Sequence, residues 1–424
     1  MAASKDLKNN YDVIVIGGGL SGLLTALALS QQSKKVLLLE ATAHVGGAHR
    51  ALEDGSHDLS TEFRFLPATE ETKIALAFLR SLPGFESLES SLLESPPHTE
   101  KDHQLVPFID FGDSTPDFYQ EISYFLNREE LRSSLHPRDW PQIAVKFFAG
   151  DLWTQSQASK LEIEDSQVVG VWVNAQKLIR ASAVVMTAPL TQLPGMVTTP
   201  ELVGKLKTDF SMQKFVTAIQ VDVTHTATSA PTVEANSSLA EMKTISTPML
   251  CIGFLSGAEP LTTIGRFEQA AESSARTSHW LSFVAEDAAE DTEFVGECLR
   301  KMRRAMKRIH PELWQTGLKE KISIHSSYAY VGNLRSKDGM QSSLLRNLYL
   351  APSGLRAPGN LVGTLLQVQK IVAALASTQA TIQATTAATT PEDSKTSAKP
   401  QKSASEPLEV PSEDSHTEMD ASPA

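Results

Sequence analysis

The chain is short of cysteine, aromatic residues and positive charge, and each shortage closes off a class of protein. Two cysteines, Cys251 and Cys298, cannot build a disulfide framework in 424 residues, which points to a reducing compartment. A formal net charge of −12 leaves no basic footprint for a general nucleic-acid partner. No uninterrupted apolar run approaches the roughly 18 residues of a spanning helix. Met1 to Asn10 is polar and holds no apolar signal-peptide core. The expectation is a soluble, acidic, cytoplasmic protein without a transmembrane segment. His44, His49 and His57 cluster, but they show no H-x-x-x-H spacing and no cysteine partner, so no metal site is expected. No G-x-S-x-G nucleophile elbow is present either.

What is present begins with 41% hydrophobic residues, enough for a large core and roughly two domains. The far C-terminus differs: Ser377 to Ala424 contains no aromatic residue and no glycine. Such a segment buries too little apolar surface to offset its ordering entropy, so residues 377–424 are read as a disordered, solubilising tail.

The strongest pattern lies near the start. Asp12 to Ile16 carries a β-branched run suited to a central parallel strand buried on both faces. Gly17-Gly18-Gly19-Leu20-Ser21-Gly22 follows at once with G-x-G-x-x-G spacing. The first glycine allows the tight turn, the second lets the backbone approach a pyrophosphate, and the third permits close helix packing. Leu23 to Gln32 reads as the helix whose N-terminal N–H groups face phosphate. Lys35 to Leu39 reads as the second strand. It ends at Glu40, an acid placed to accept the hydroxyls of an adenosine ribose. This βαβ unit fits FAD and NAD alike.

The residues after Glu40 separate the two. Ala41-Thr42-Ala43-His44-Val45-Gly46-Gly47 resembles the flavin amine oxidase superfamily, which includes protoporphyrinogen oxidases and phytoene-desaturase-like enzymes. The resemblance continues at Gly55 to Leu59, Gly170-Val171, Ala181 to Pro189 and Asn347 to Ala351. It implies non-covalent FAD, with Gly46 and Gly47 close to the flavin pyrophosphate, and hydride transfer from an organic substrate to the flavin. It also implies an α/β fold, in which a Rossmann-type FAD-binding domain with a β-meander is interleaved with a mixed α+β substrate domain. The FAD-binding domain is assigned to residues 1–70, 149–194 and 336–376, and the substrate domain to 71–148 and 195–335. Within the meander, the resemblance puts Ala158 at the strand backbone that touches adenine.

Several positions depart from the family pattern. Ala48 stands where a phosphate-pairing arginine is usual, and Arg50 is the available substitute. Ser60 replaces a glycine. Pro352-Ser353 stands where an acid holds the ribityl chain, which leaves Ser353 as the hydroxyl-bonding candidate. Gln367 to Gln369 occupies a small-residue pair near the final helix. These changes weaken the isoalloxazine end and leave the ADP end intact, so a catalytically degenerate flavin-binding protein is the alternative to an active oxidoreductase. Lys319 and Lys321 are the candidates for the family lysine near the flavin, and no catalytic residue is assigned. Nothing points to an aromatic cage, so a small amine is not favoured over an apolar polyene or ring substrate. Elsewhere, Asp291 to His310 reads as an amphipathic helix with Phe294, Val295, Cys298, Leu299, Met302, Ala305, Met306 and Ile309 on its apolar face. The spacing predicts a last helix over Asn360 to Ala376.

Overall fold

A computed structural model describes residues 10–47, 66–94, 96–101, 104–111, 118–135, 137–211, 214–225, 248–255, 258–269, 276–309, 318–331, 336–337, 341–351 and 361–388. The chain divides into two compact units, Met1–Thr378 and Gln379–Ala424, and the three sheets belong to the first. β1 (Asn10–Ile16) and β2 (Val36–Leu39) enter a nine-stranded sheet. β3 (Ser90–Glu94) goes to a two-stranded sheet, and β4 (His98–Lys101) and β5 (Gln104–Pro107) go to a seven-stranded one. β6 (Glu129–Ser133) pairs with β3. The chain returns to the large sheet through β7 (Asp151–Trp153), β8 (Ala158–Glu164), β9 (Gln167–Val173) and β10 (Lys177–Met186). It then crosses to the seven-stranded sheet for β11 (Lys214–His225), β12 (Pro248–Leu255), β13 (Ala258–Gln269), β14 (Arg276–Ala285) and β15 (Leu318–Val331). β16 (Ser336–Lys337), β17 (Gln341–Ser342) and β18 (Leu348–Leu350) close the large sheet.

The centre of the large sheet is parallel. β1 lies between β2 and β10, with Val13 beside Val36 and Ala183, and Ile16 beside Leu39 and Met186. β7 extends the parallel order past β2, and β18 extends it past β10. β8 and β9 form the antiparallel meander attached to β10. The unbroken apolar run of β1 follows from burial on both faces. Val13 and Val15 pack with the helix Leu20–Ser30 and with Leu361, Leu365 and Val368, whereas Ile14 and Ile16 pack with Leu161, Val171 and Ile179 from the meander side.

In the seven-stranded sheet, Ile219, Val221 and Val223 of β11 and Trp280 and Val284 of β14 pack on the helix Thr292–Ile309. Val295, Cys298, Met302, Ala305 and Met306 supply that helix's buried stripe. Phe294, in the helix's first turn, does not join it and is 37% exposed. Burial pushes the Cys298 thiol above its ordinary range, which suits a packed small residue. The last helix, Leu361–Ala388, runs beyond the expected end at Ala376. No glycine or proline lies between Leu365 and Ala388, and alanine and glutamine are good helix formers, so the helix carries on past Ala376. Among the described residues no helix is long and apolar enough to cross a membrane.

Candidate functional site

The site starts where β1 stops. Gly17 has φ +106°, and a methyl there would lie 2.8 Å from Thr187 Oγ1 and 2.9 Å from the Ala188 nitrogen. A side chain at that turn would have to displace the strand end that closes it. Gly18 is equally constrained, since a methyl would lie 2.9 Å from Glu40 Oε2. At Gly22 a methyl would run into the Gly17 carbonyl, so helix and turn approach as closely as backbones can. Gly19 is the exception: a methyl there would meet nothing within 4 Å. Gly19 also caps the helix Leu20–Ser30, whose first turn carries no acidic residue and no side-chain cap. The unpaired N–H groups and positive dipole end of that turn therefore lie beside the open side of Gly19, where an anion is favoured.

Glu40 follows β2 and faces the same turn. Its Oε2 accepts the Gly18 N–H at 2.7 Å. Its Oε1 accepts the Thr42 N–H at 2.8 Å and lies 2.8 Å from the Thr42 hydroxyl, whose single proton also has the His44 carbonyl in reach at 2.7 Å. Each carboxylate oxygen offers about two lone-pair sites. Oε1 is thus engaged by Thr42, and Oε2, with the Gly18 N–H on it, keeps one position for a further donor. The Glu40 backbone is pinned as well: its N–H donates to the Trp153 carbonyl at 2.9 Å and its carbonyl accepts the Ser156 N–H at 2.8 Å. Ala158 opens β8 shortly after this segment and is half-buried against the second core cluster.

The second glycine pair lies across the first. The Gly46 N–H donates to the Gly18 carbonyl at 2.7 Å, and Gly46 bridges Gly19 in parallel. Gly46 and Gly47 both have left-handed backbones, φ +113° and +57°, and a methyl on Gly47 would lie 3.1 Å from the Gly19 Cα. Gly17 to Gly22, Glu40, Gly46 and Gly47 therefore form one constellation.

Leu20 and Ser21 are buried, so they can offer a ligand only backbone N–H groups. The Ser21 hydroxyl donates to the Ala351 carbonyl at 2.7 Å, tying the helix start to the end of β18. Ala48, Arg50, Ser60 and Ser353 lie outside the described residues, as do His49 and His57. Gln367 is buried and donates to the Leu350 carbonyl at 2.8 Å. Lys319 is exposed on β15, whereas Lys321 is half-buried. Sequence reasoning missed Thr42 and Thr187. The Thr187 hydroxyl lies 2.8 Å from the Ile16 carbonyl and 2.9 Å from that of Gly17, which fixes the turn from below. Its position directly after the β10 run was the available signal.

The donor set fits the ADP half of a dinucleotide: an open glycine at a helix start, a carboxylate with one free acceptor position, and a second glycine pair closing over the first. Residues 15–82 match a family model described as an NAD(P)-binding Rossmann-like domain. Over 77 residues the chain is 36% identical to an inactive all-trans-retinol 13,14-reductase of Danio rerio, covering 18% of this chain and 13% of that one. Over 57 residues it is 39% identical to a digeranylgeranylglycerophospholipid reductase of Methanoculleus marisnigri, covering 13% of this chain and 14% of that one. Both matches thus span a small part of the relatives' length. Among solved structures, an oxidoreductase from Methanosarcina mazei superposes with TM-score 0.61 at 13% identity, over 85% of this chain and 99% of the other. A putrescine oxidase superposes with TM-score 0.60 at 13% identity, over 87% and 99%. Cyclohexylamine oxidase from Brevibacterium oxydans does so with TM-score 0.58 at 14% identity, over 87% and 99%. At these identities the likeness is one of fold. The chain shares the fold of these oxidases and of this oxidoreductase.

Proposed function

We propose that this chain binds FAD non-covalently through its N-terminal βαβ unit and acts as an oxidoreductase of the amine oxidase and desaturase type. The observation that carries this reading is the contact of Gly46-Gly47 with Gly18-Gly19, because a nicotinamide dehydrogenase has no need of a second glycine pair. The N–H groups at the start of the helix Leu20–Ser30 hold the pyrophosphate, with the open side of Gly19 admitting it. Glu40 Oε2 accepts a ribose hydroxyl, and Thr42 keeps the carboxylate turned toward it. Arg50, Ala158 and Ser353 are assigned to phosphate, adenine and ribityl contacts respectively. When bound, the flavin supplies the capacity to take a hydride from an organic substrate, while the protein supplies position and electrostatics. An apolar substrate remains favoured over a small amine, and a cytoplasmic location follows from cysteine use and charge.

A second reading, a flavin-binding protein without turnover, is favoured by Gln367. Its buried amide fills a place where the family carries a small residue, and its hydrogen bond to Leu350 holds it there. The test of the main reading is the absorbance of cofactor released by heat from the purified full chain. Oxidised flavin bands at about 370 and 450 nm, properties of the cofactor, support it. A colourless protein that also takes up no added FAD contradicts it.

A further inference from the structure

Residues 66–68 run antiparallel to β6 on the side away from β3. The Ala68 N–H donates to the Glu129 carbonyl at 2.9 Å, the Leu131 N–H donates to the Leu66 carbonyl at 2.7 Å, and Pro67 bridges Glu130. On the other side of β6, Glu129 stands opposite Glu94 at the end of β3. Ala68, Glu129 and Glu94 therefore form one row across three strands, on one face. Like charges directly opposite each other destabilise a strand pair, so the Glu94–Glu129 pairing works against the two-stranded sheet that contains it.

That row borders a cavity of about 460 Å³, which Pro96 after β3 and Asn127 and Arg128 before β6 complete. The volume falls within the roughly 300–1,000 Å³ of small-ligand sites. Arg128 lines the same cavity as Glu94 and Glu129 and forms an ion pair with neither. Two carboxylates and one guanidinium leave the cavity one negative charge in excess, while Ala68 and Pro96 give it an apolar wall. A simple cation would answer the carboxylates and leave Arg128 unserved, and a simple anion would do the reverse.

We propose that this cavity binds a free basic amino acid, with its carboxylate on the Arg128 guanidinium, its two ammonium groups on Glu94 and Glu129, and its aliphatic stem along Ala68 and Pro96. The ligand's three charges complement those of the cavity one for one, and a guanidinium takes a carboxylate through two parallel hydrogen bonds. None of the lining residues belongs to the glycine constellation, so the proposal is independent of flavin binding. It is tested by calorimetric titration of the full chain, as purified, with L-lysine at fixed ionic strength. One L-lysine per chain is expected to bind. Cadaverine, which lacks the carboxylate, and L-norleucine, which lacks the side-chain ammonium, are each expected to bind at least roughly tenfold more weakly, the scale of one charge-assisted hydrogen bond. Arg128→Gln should weaken L-lysine by the same factor and leave cadaverine unaffected, whereas Glu129→Gln should weaken both. Without ligand, Glu129→Gln should melt no lower than wild type, since it removes a like-charge pair. No saturable binding of L-lysine by wild type, or equal affinities for L-lysine and either analogue, overturns the proposal. So does an L-lysine affinity unchanged in Arg128→Gln or Glu129→Gln, or a Glu129→Gln protein that melts below wild type.

Discussion

The Gly46 N–H and the Gly18 carbonyl, 2.7 Å apart, join two glycine clusters separated by the helix Leu20–Ser30 and β2. This bond holds Gly47 against Gly19 with a backbone that an L side chain adopts only at a cost. Gly47→Ala combines left-handed strain of roughly 1–2 kcal/mol with a methyl 3.1 Å from the Gly19 Cα. It is expected to lower the urea midpoint by that measure and to weaken FAD binding, as denaturation and titration on one preparation would show. Unchanged values in both would mean that the second glycine pair does not close over the first.

Glu40 serves the local fold and the proposed ligand together. Glu40→Ala removes the acceptor of the Gly18 N–H as well as the ribose acceptor, and should weaken FAD binding by roughly 1.5–3 kcal/mol, the range of charge-assisted hydrogen bonds. Glu40→Gln keeps one carbonyl acceptor and should lose less. A larger calorimetric dissociation constant for Glu40→Gln than for Glu40→Ala would contradict the assignment.

Tyr11 and Asp151 give the chain an alkaline limit. The phenol donates to Asp151 Oδ2 at 2.7 Å. Burial first, and then the Asp151 hydrogen bond and charge, hold its pKa well above the ordinary range. As pH rises through about 10, the ordinary tyrosine value, the unfolded chain loses this proton and the folded chain keeps it. The unfolded state then binds fewer protons, so this linkage makes stability fall with rising pH above that point. Tyr11→Phe should be less stable at neutral pH by roughly 0.5–1.5 kcal/mol and should lose less on going from pH 9 to about 11. Parallel Tm-against-pH curves for the two proteins would show that the pair contributes no linkage.

The helix Leu361–Ala388 separates a packed part from a part with no apolar pattern. Leu361, Leu365, Val368, Ile371 and Leu375 are buried against β1 and its neighbours, and Lys34 Nζ donates to the Leu375 carbonyl at 3.1 Å. Ile371→Ala should cost about 2–5 kcal/mol through lost burial and a residual cavity. Removing residues 389–424 should leave Tm nearly unchanged. A fall of several degrees on truncation would show that the removed segment packs.

How much could be read in advance depended on the range of the interaction. The glycine turn was legible because G-x-G-x-x-G encodes backbone geometry directly, and the positive φ of Gly17 is that geometry. The interior position of β1 was legible because burial on both faces demands an unbroken apolar run. The sharing of Glu40 with Thr42 was not, since competition for a lone pair is decided by side-chain placement within a few ångströms. The Asp222–His279 pair was hidden for a different reason: 57 residues separate its members, and only strand register joins them. The end of the last helix is not legible because low apolar content points to an irregular chain after Ala376, whereas alanine and glutamine carry the helix on to Ala388.

The central claim is that a dinucleotide pyrophosphate enters on the open side of Gly19. The most direct test is FAD titration of wild type and Gly19→Val, with melting curves recorded on the same samples without cofactor. A methyl there would meet nothing within 4 Å, so the variant should fold, with a Tm lowered only by the poorer helix cap, while it loses FAD binding. Equal FAD affinity in a folded Gly19→Val protein would contradict the account.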